Sequence, residues 1–276
     1  MKIARLSLDQ GPRFAALDEE TGTYLVLSDD PLFGKIEATG QRVSAADAHL
    51  VAPMIPRSKV VGFSGTFETD GGEAGSLTDL TMFLKPNTSV IGPDDPIVLP
   101  NWARVVRHGP ELAVVIGRAC KDVAVSRVKD VVFGYTVAND VTAVAGDSVR
   151  SKSFDTSCPI GPVIETDLDV ADLRLESKVD GEVRREGSTA DLAFSVAELV
   201  AYASSVFTLL PGDIILTGAP AVVGEGGSDE AGVGEAGAGA GAGAGGAGVG
   251  AIEAGQDVEV SCEGIGSFRN PVLRRG

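Results

Sequence analysis

Three short fragments in succession, HGPELAVVIG, GYTVANDVT and KSFDTSCPIGP, place two carboxylates and a lysine at the ends of apolar or glycine- and proline-bounded runs. Glu111 opens ELAVVIG, Asp140 ends the GYTVAND run and Lys152 begins the third fragment. Oxygen donors of this kind suit the hard cations Mg²⁺, Mn²⁺ or Ca²⁺, and Mg²⁺ is commonly held by one or two protein carboxylates with water and substrate oxygens completing its shell. A lysine ammonium beside a carbonyl stabilises an enolate. Alternate residues of a strand face the same side, so an acid two positions before Glu111 would share its ion. That position is Gly109. The pattern is a divalent-metal centre short of one ligand.

Other chemistry has less support. The two histidines, His49 and His108, cannot build a three-histidine zinc site, and H-E-x-x-H, Walker and G-x-S-x-G motifs are absent from the chain. His108 reads as a solvated loop residue, because its neighbour Gly109 would point to the opposite face of a strand. Cys120, Cys158 and Cys262 are odd in number and form no C-x-x-C pair, so they read as reduced core residues rather than a disulfide or thiolate framework. Gly241 to Gly246 matches G-x-G-x-x-G, but no strand leads into it and no amphipathic helix leaves it. Glu68 lies inside the glycine-rich GTFETDGGEAG, a segment that reads as a moving lid.

The net charge of −16 repels nucleic-acid phosphates and anionic lipid headgroups, leaving a small-molecule substrate as the expected partner. No apolar run approaches the ~20 residues of a membrane helix, and MKIARLSLDQ lacks a signal-peptide apolar region. A cytoplasmic location is the expectation.

These residues must be held by strands. IARLSL, RFAALD and TYLVLS predict a small N-terminal meander over residues 1–55, closed by a helix near Ala45 to Leu50. From PRSKVVGFSG onward, SVIG, PIVLP, ELAVVIG, VVFGYTVAN, GPVIE, LRLESKVDG, DIILTG and DVEVSCEGIGSFRN predict β-strands of a core domain over residues 56–276. One clear helix is predicted in SVAELVAYASSVFTLL, where Val196, Leu199, Val200 and Ala203 share a face. Strands joined by irregular segments argue for a mainly β, α+β fold and against a doubly wound parallel sheet. Residues 224–250 are nearly pure glycine and alanine with scattered acids, which predicts a flexible surface loop.

Over about residues 50 to 276 the chain resembles the fumarylacetoacetate hydrolase family in seven ordered fragments: MFLKPNTSVIGPDDPIVLP, ELAVVIGRACKDV, GYTVANDVTA, KSFDTSCPIGPVIET, VDGEVRREGSTADL, LLPGDIILTGAP and GIGSFRNPV. The resemblance implies a mixed β-roll or sandwich and a homodimer. It also implies an Mg²⁺, or Mn²⁺ or Ca²⁺, held by two glutamates at i and i+2 and a downstream aspartate, of which Glu111 and Asp140 are present and Gly109 is not. The family's lid histidine falls on Glu68. Its substrate-binding arginine and glutamine fall on Val144 and Asp147, its turn glutamine on Arg185, and the threonine of its TGTP loop on Ala219, after Gly218.

Three functions follow as expectations. The first is an enzyme acting on a 1,3-dicarbonyl or 2-oxo acid through an enolate, with Lys152 as stabiliser, Glu68 as base, Glu111 and Asp140 on the metal, and Asp147, Arg185 and Gly218 at the substrate. The second is a metal-independent reuse of the fold, such as a cyclase or isomerase of specialised metabolism. The third is a catalytically silent protein.

Overall fold

The computed structural model describes residues 1–67, 75–223 and 250–274. Glu68, most of the 224–250 segment and the G-x-G-x-x-G match lie outside the described residues. Among the described residues, twelve strands form one sheet whose central path runs Lys2–Leu6, Cys158–Glu165, Val132–Asn139, Pro110–Ile116, Ile214–Leu216, Val60–Ser64 and Thr81–Lys85. A second sheet of five strands runs Glu182–Ser188, Arg174–Val179, Asp257–Cys262, Gly266–Arg274 and Ile97–Leu99. Most neighbours are antiparallel. Ile214–Leu216 beside Val60–Ser64 and Gly266–Arg274 beside Ile97–Leu99 are parallel exceptions. The mainly β expectation therefore holds.

The strand Pro110–Ile116 is buried throughout. Its Leu112, Val114 and Ile116 enter the larger apolar core together with Leu175, Val179, Val258 and Val260 of the second sheet. Ala113 and Val115 enter a smaller core on the other face, with Val60, Phe83, Ala138, Cys158 and Ile160. Period-two alternation explains the split, and it puts Glu111 on the smaller core's face, at the strand mouth.

The first three predicted strands form, followed by a fourth at Ala38–Ser44. They extend the large sheet, because Lys2 and Ile3 pair with Glu165 and Ile164 of Cys158–Glu165. The helix expected near Ala45 does not form. Residues 45–47 make a turn in which Ser44 accepts hydrogen bonds from Ala46 and Asp47, and a two-residue strand, Leu50–Val51, follows. A segment this short has too little apolar face to stabilise a helix against turn-forming serine and aspartate.

The predicted helix spans Val196–Val206 and buries Val196, Leu199, Val200 and Ala203. Ser195 caps it: its hydroxyl accepts the Glu198 N–H while the Glu198 carboxylate accepts the Ser195 N–H at 2.8 Å. Tyr202 stacks on Phe63 with ring centroids 6.2 Å apart, tying the helix to the large sheet.

Candidate active site

At the mouth of the smaller core, three strand ends and one short helix bring four ionisable groups together. Asp140 follows the strand Val132–Asn139, and its N–H donates to Gly109 O at 2.8 Å. Lys152 ends the helix Ser148–Lys152. Its ammonium donates to Asp140 Oδ2 and, at 2.8 Å, to Thr142 Oγ1, and lies 4.1 Å from the centre of the Phe83 ring. Lys152 is buried, with only 4% of it exposed.

The second cation, Lys85, was missed in the sequence. It ends the strand Thr81–Lys85, is fully buried, and donates to Val141 O at 3.0 Å and Ser157 O at 2.8 Å. Its Nζ also forms an ion pair with Asp140 Oδ1 at 2.9 Å. A signal was present: in TMFLK the lysine is in phase with buried Phe83, while the intervening Leu84 is exposed.

Glu111 completes the group. It is 2% exposed and accepts the Gly218 N–H on Oε2 at 2.7 Å. Burial, followed by the neighbouring Asp140 charge, pushes its carboxyl up to about 8 against the opposing pull of Lys152. Burial also acts to raise Asp140, but Lys152 and Lys85 together hold it well below the usual carboxylate range. Asp140 is thus the fixed anion of the cluster and Glu111 the group nearest neutrality. Gly218 adopts φ +93°, and a side chain there would collide with Thr66 Oγ1, a buried hydroxyl without a hydrogen-bond partner.

The remaining expected residues stand apart from this group in different ways. Arg185 is buried and donates from Nη1 to Pro220 O at 2.7 Å, against the loop that carries Gly218. Asp147 is exposed and caps the Lys152 helix: its carboxylate accepts from Arg150 N at 2.8 Å and Arg150 Nε at 2.5 Å. His108 is buried, not solvated, and is held by Gly250 O at 3.1 Å on Nδ1 and Ser177 Oγ at 3.0 Å on Nε2. Both ring nitrogens are therefore engaged away from Glu111. Cys158 is fully buried behind the cluster, where burial pushes its thiol up to about 12, which suits a core residue rather than a nucleophile.

The model of the fumarylacetoacetate hydrolase C-terminal domain matches residues 67–273, and that of the Rv2993c-like N-terminal domain matches residues 1–53. The chain belongs to the fumarylacetoacetate hydrolase family. It is 39% identical to protein Rv2993c of Mycobacterium tuberculosis, covering all of this chain and 99% of that one. The solved structure of 5-carboxymethyl-2-hydroxymuconate delta-isomerase from Mycobacterium smegmatis superposes with a TM-score of 0.83 at 36% identity, covering both chains entirely. Maleylpyruvate hydrolase from Sphingobium sp. SYK-6, solved with manganese(II) and pyruvate, superposes at 0.77 with 29% identity, again over both full chains.

That manganese-holding family member invites a test of fit for the expected Mg²⁺ or Mn²⁺. The residues of this chain fit it poorly. Gly109 offers no donor, and a Cβ there would stand only 2.7 Å from Ala219 Cβ. Both Asp140 oxygens face ammonium groups, and one Glu111 oxygen holds a backbone N–H. Among the described residues no three histidine, cysteine, aspartate or glutamate side chains gather as a metal-binding group.

Proposed function

We propose that this family member is an enzyme that converts a 1,3-dicarbonyl or 2-oxo acid through an enolate, by C–C hydrolysis, decarboxylation or isomerisation. The observation that carries the proposal is the Lys152 ammonium, buried against Phe83 and aimed by Asp140 and Thr142. A cation held in a low-dielectric mouth stabilises negative charge developing on a substrate oxygen and needs no reorganisation as that charge forms. The isomerase and hydrolase relatives support the reaction class, since both chemistries act on conjugated oxo acids.

In this reading Asp140 keeps Lys152 oriented, Gly218 shapes the loop opposite Glu111, and Glu68 takes the substrate proton. Solvent deuterium uptake at the carbon beside the ketone reports enolisation whichever bond is later broken. The purified chain should catalyse uptake into at least one of oxaloacetate, acetylpyruvate or maleylpyruvate, and Lys152→Met should slow it by about 10²-fold or more. Uptake no faster than in buffer for the whole panel would leave the silent-protein reading. A second reading, a cyclase or isomerase of specialised metabolism that needs no metal, is favoured by the poor metal fit and predicts conversion of a larger, less anionic substrate.

A further inference from the structure

We infer that this centre takes up no divalent cation, and that Lys85 and Lys152, one on each oxygen of Asp140, provide its positive charge instead. Three observations converge. First, the donor two residues before Glu111 is replaced by glycine, and the space for a side chain there is closed by Ala219. Second, the carboxylate that would anchor an ion is held from both sides by buried cations, Lys85 at 2.9 Å from Oδ1 and Lys152 hydrogen-bonded to Oδ2. Third, Lys85 is locked in place by Val141 O, Ser157 O and Ser157 Oγ, and Ser157 in turn donates to Lys152 O at 3.0 Å.

Two ammonium groups already flank the Asp140 carboxylate within one buried cluster. A dication entering it would meet two like charges at close range and gain at most one free carboxyl, Glu111. In a medium of low effective dielectric that repulsion outweighs what a single carboxylate returns. Lys85 is thus a positioning residue: it holds the Asp140 carboxylate in place, and Asp140 holds Lys152. As to catalysis the inference rests on the proposed enolate reading, but cation binding is measurable without turnover.

The test uses the full chain dialysed against EDTA and titrated with Mn²⁺, alone and with oxalate, followed by electron paramagnetic resonance and by thermal unfolding. The expected result is no stoichiometric binding and no rise in Tm at millimolar Mn²⁺. Lys85→Met, which frees one Asp140 oxygen and removes one positive charge, should bind Mn²⁺ at least about tenfold more tightly than the wild type. Lys152→Met serves the same purpose if the Lys85 variant does not fold. One-to-one Mn²⁺ binding by the wild type that is lost in Asp140→Asn would overturn the inference, as would the absence of any gain in a folded lysine variant. Where deuterium uptake is found, it should survive EDTA unchanged. If uptake is absent under every condition, the enolate proposal fails while the Mn²⁺ result still decides this one.

Discussion

Lys85 Nζ, with no solvent exposure, lies 2.9 Å from Asp140 Oδ1 across the mouth of the smaller core. The pair joins the end of one sheet strand to the residue just beyond another, and through Asp140 it reaches the site lysine. A buried ion pair of this kind adds little stability relative to an apolar replacement, yet breaking it from one side strands a charge.

Asp140→Asn should therefore be among the most destabilising substitutions in the chain, at about 3–5 kcal/mol by urea unfolding, because it leaves two buried ammonium groups without their anion. Adding Lys85→Met to that variant should recover part of the loss. Strict additivity of the two substitutions would show that the residues do not act as a pair.

His108 predicts a pH dependence. Burial first, and then the Arg185 charge, lowers it from 6.5 to about 3. Between those values the unfolded chain binds a proton that the folded chain refuses, so the contribution of His108 is complete above about pH 6.5 and is lost as the pH falls toward 3. The wild type should lose a few kcal/mol more than His108→Gln between pH 7 and pH 4 in chemical unfolding. Parallel pH profiles for the two proteins would exclude His108 as the cause.

Gly109→Ala should lower stability by about 1–3 kcal/mol through overpacking against Ala219, and Ala219→Gly should relieve it. Equal melting temperatures for Gly109→Ala and wild type would show that the loop yields at no cost. The same crowding predicts that Gly109→Glu alone folds less well than Gly109→Glu with Ala219→Gly.

Thiol reactivity offers a simpler check on the core. Cys158 and Cys262 are buried, and burial pushes both thiols up to about 12, whereas Cys120 is only partly covered. Ellman's reagent should consume at most one thiol per native chain and all three after unfolding. Rapid native labelling of Cys158, located by peptide mass, would mean that the cluster above it opens readily.

Much of the fold was legible because strand burial is a local property of sequence. ELAVVIG, with apolar residues at every interior position, could be stable only as a strand covered on both faces, and Val196, Leu199, Val200 and Ala203 could share a face only in a helix. The turn at residues 45–47 was misread because a few apolar residues do not distinguish a helix from a turn whose serine captures the backbone. His108 was misread because adjacency to a loop says nothing about what covers it, here Ser177 and Gly250 from distant parts of the chain.

The sequence alone determined the family, the mainly β class, the missing side chain at Gly109 and the choice of Glu111, Asp140 and Lys152 as candidates, since each is a matter of residue type and spacing. Only the tertiary structure decided what those groups do to one another. It brought Lys85 from a strand far earlier in the chain onto Asp140, turned Asp147 outward as a helix cap, and placed Ala219 in the space a side chain at 109 would need. Charge balance in a buried cluster depends on distances of a few ångströms between residues separated by tens of positions, and no local pattern encodes them.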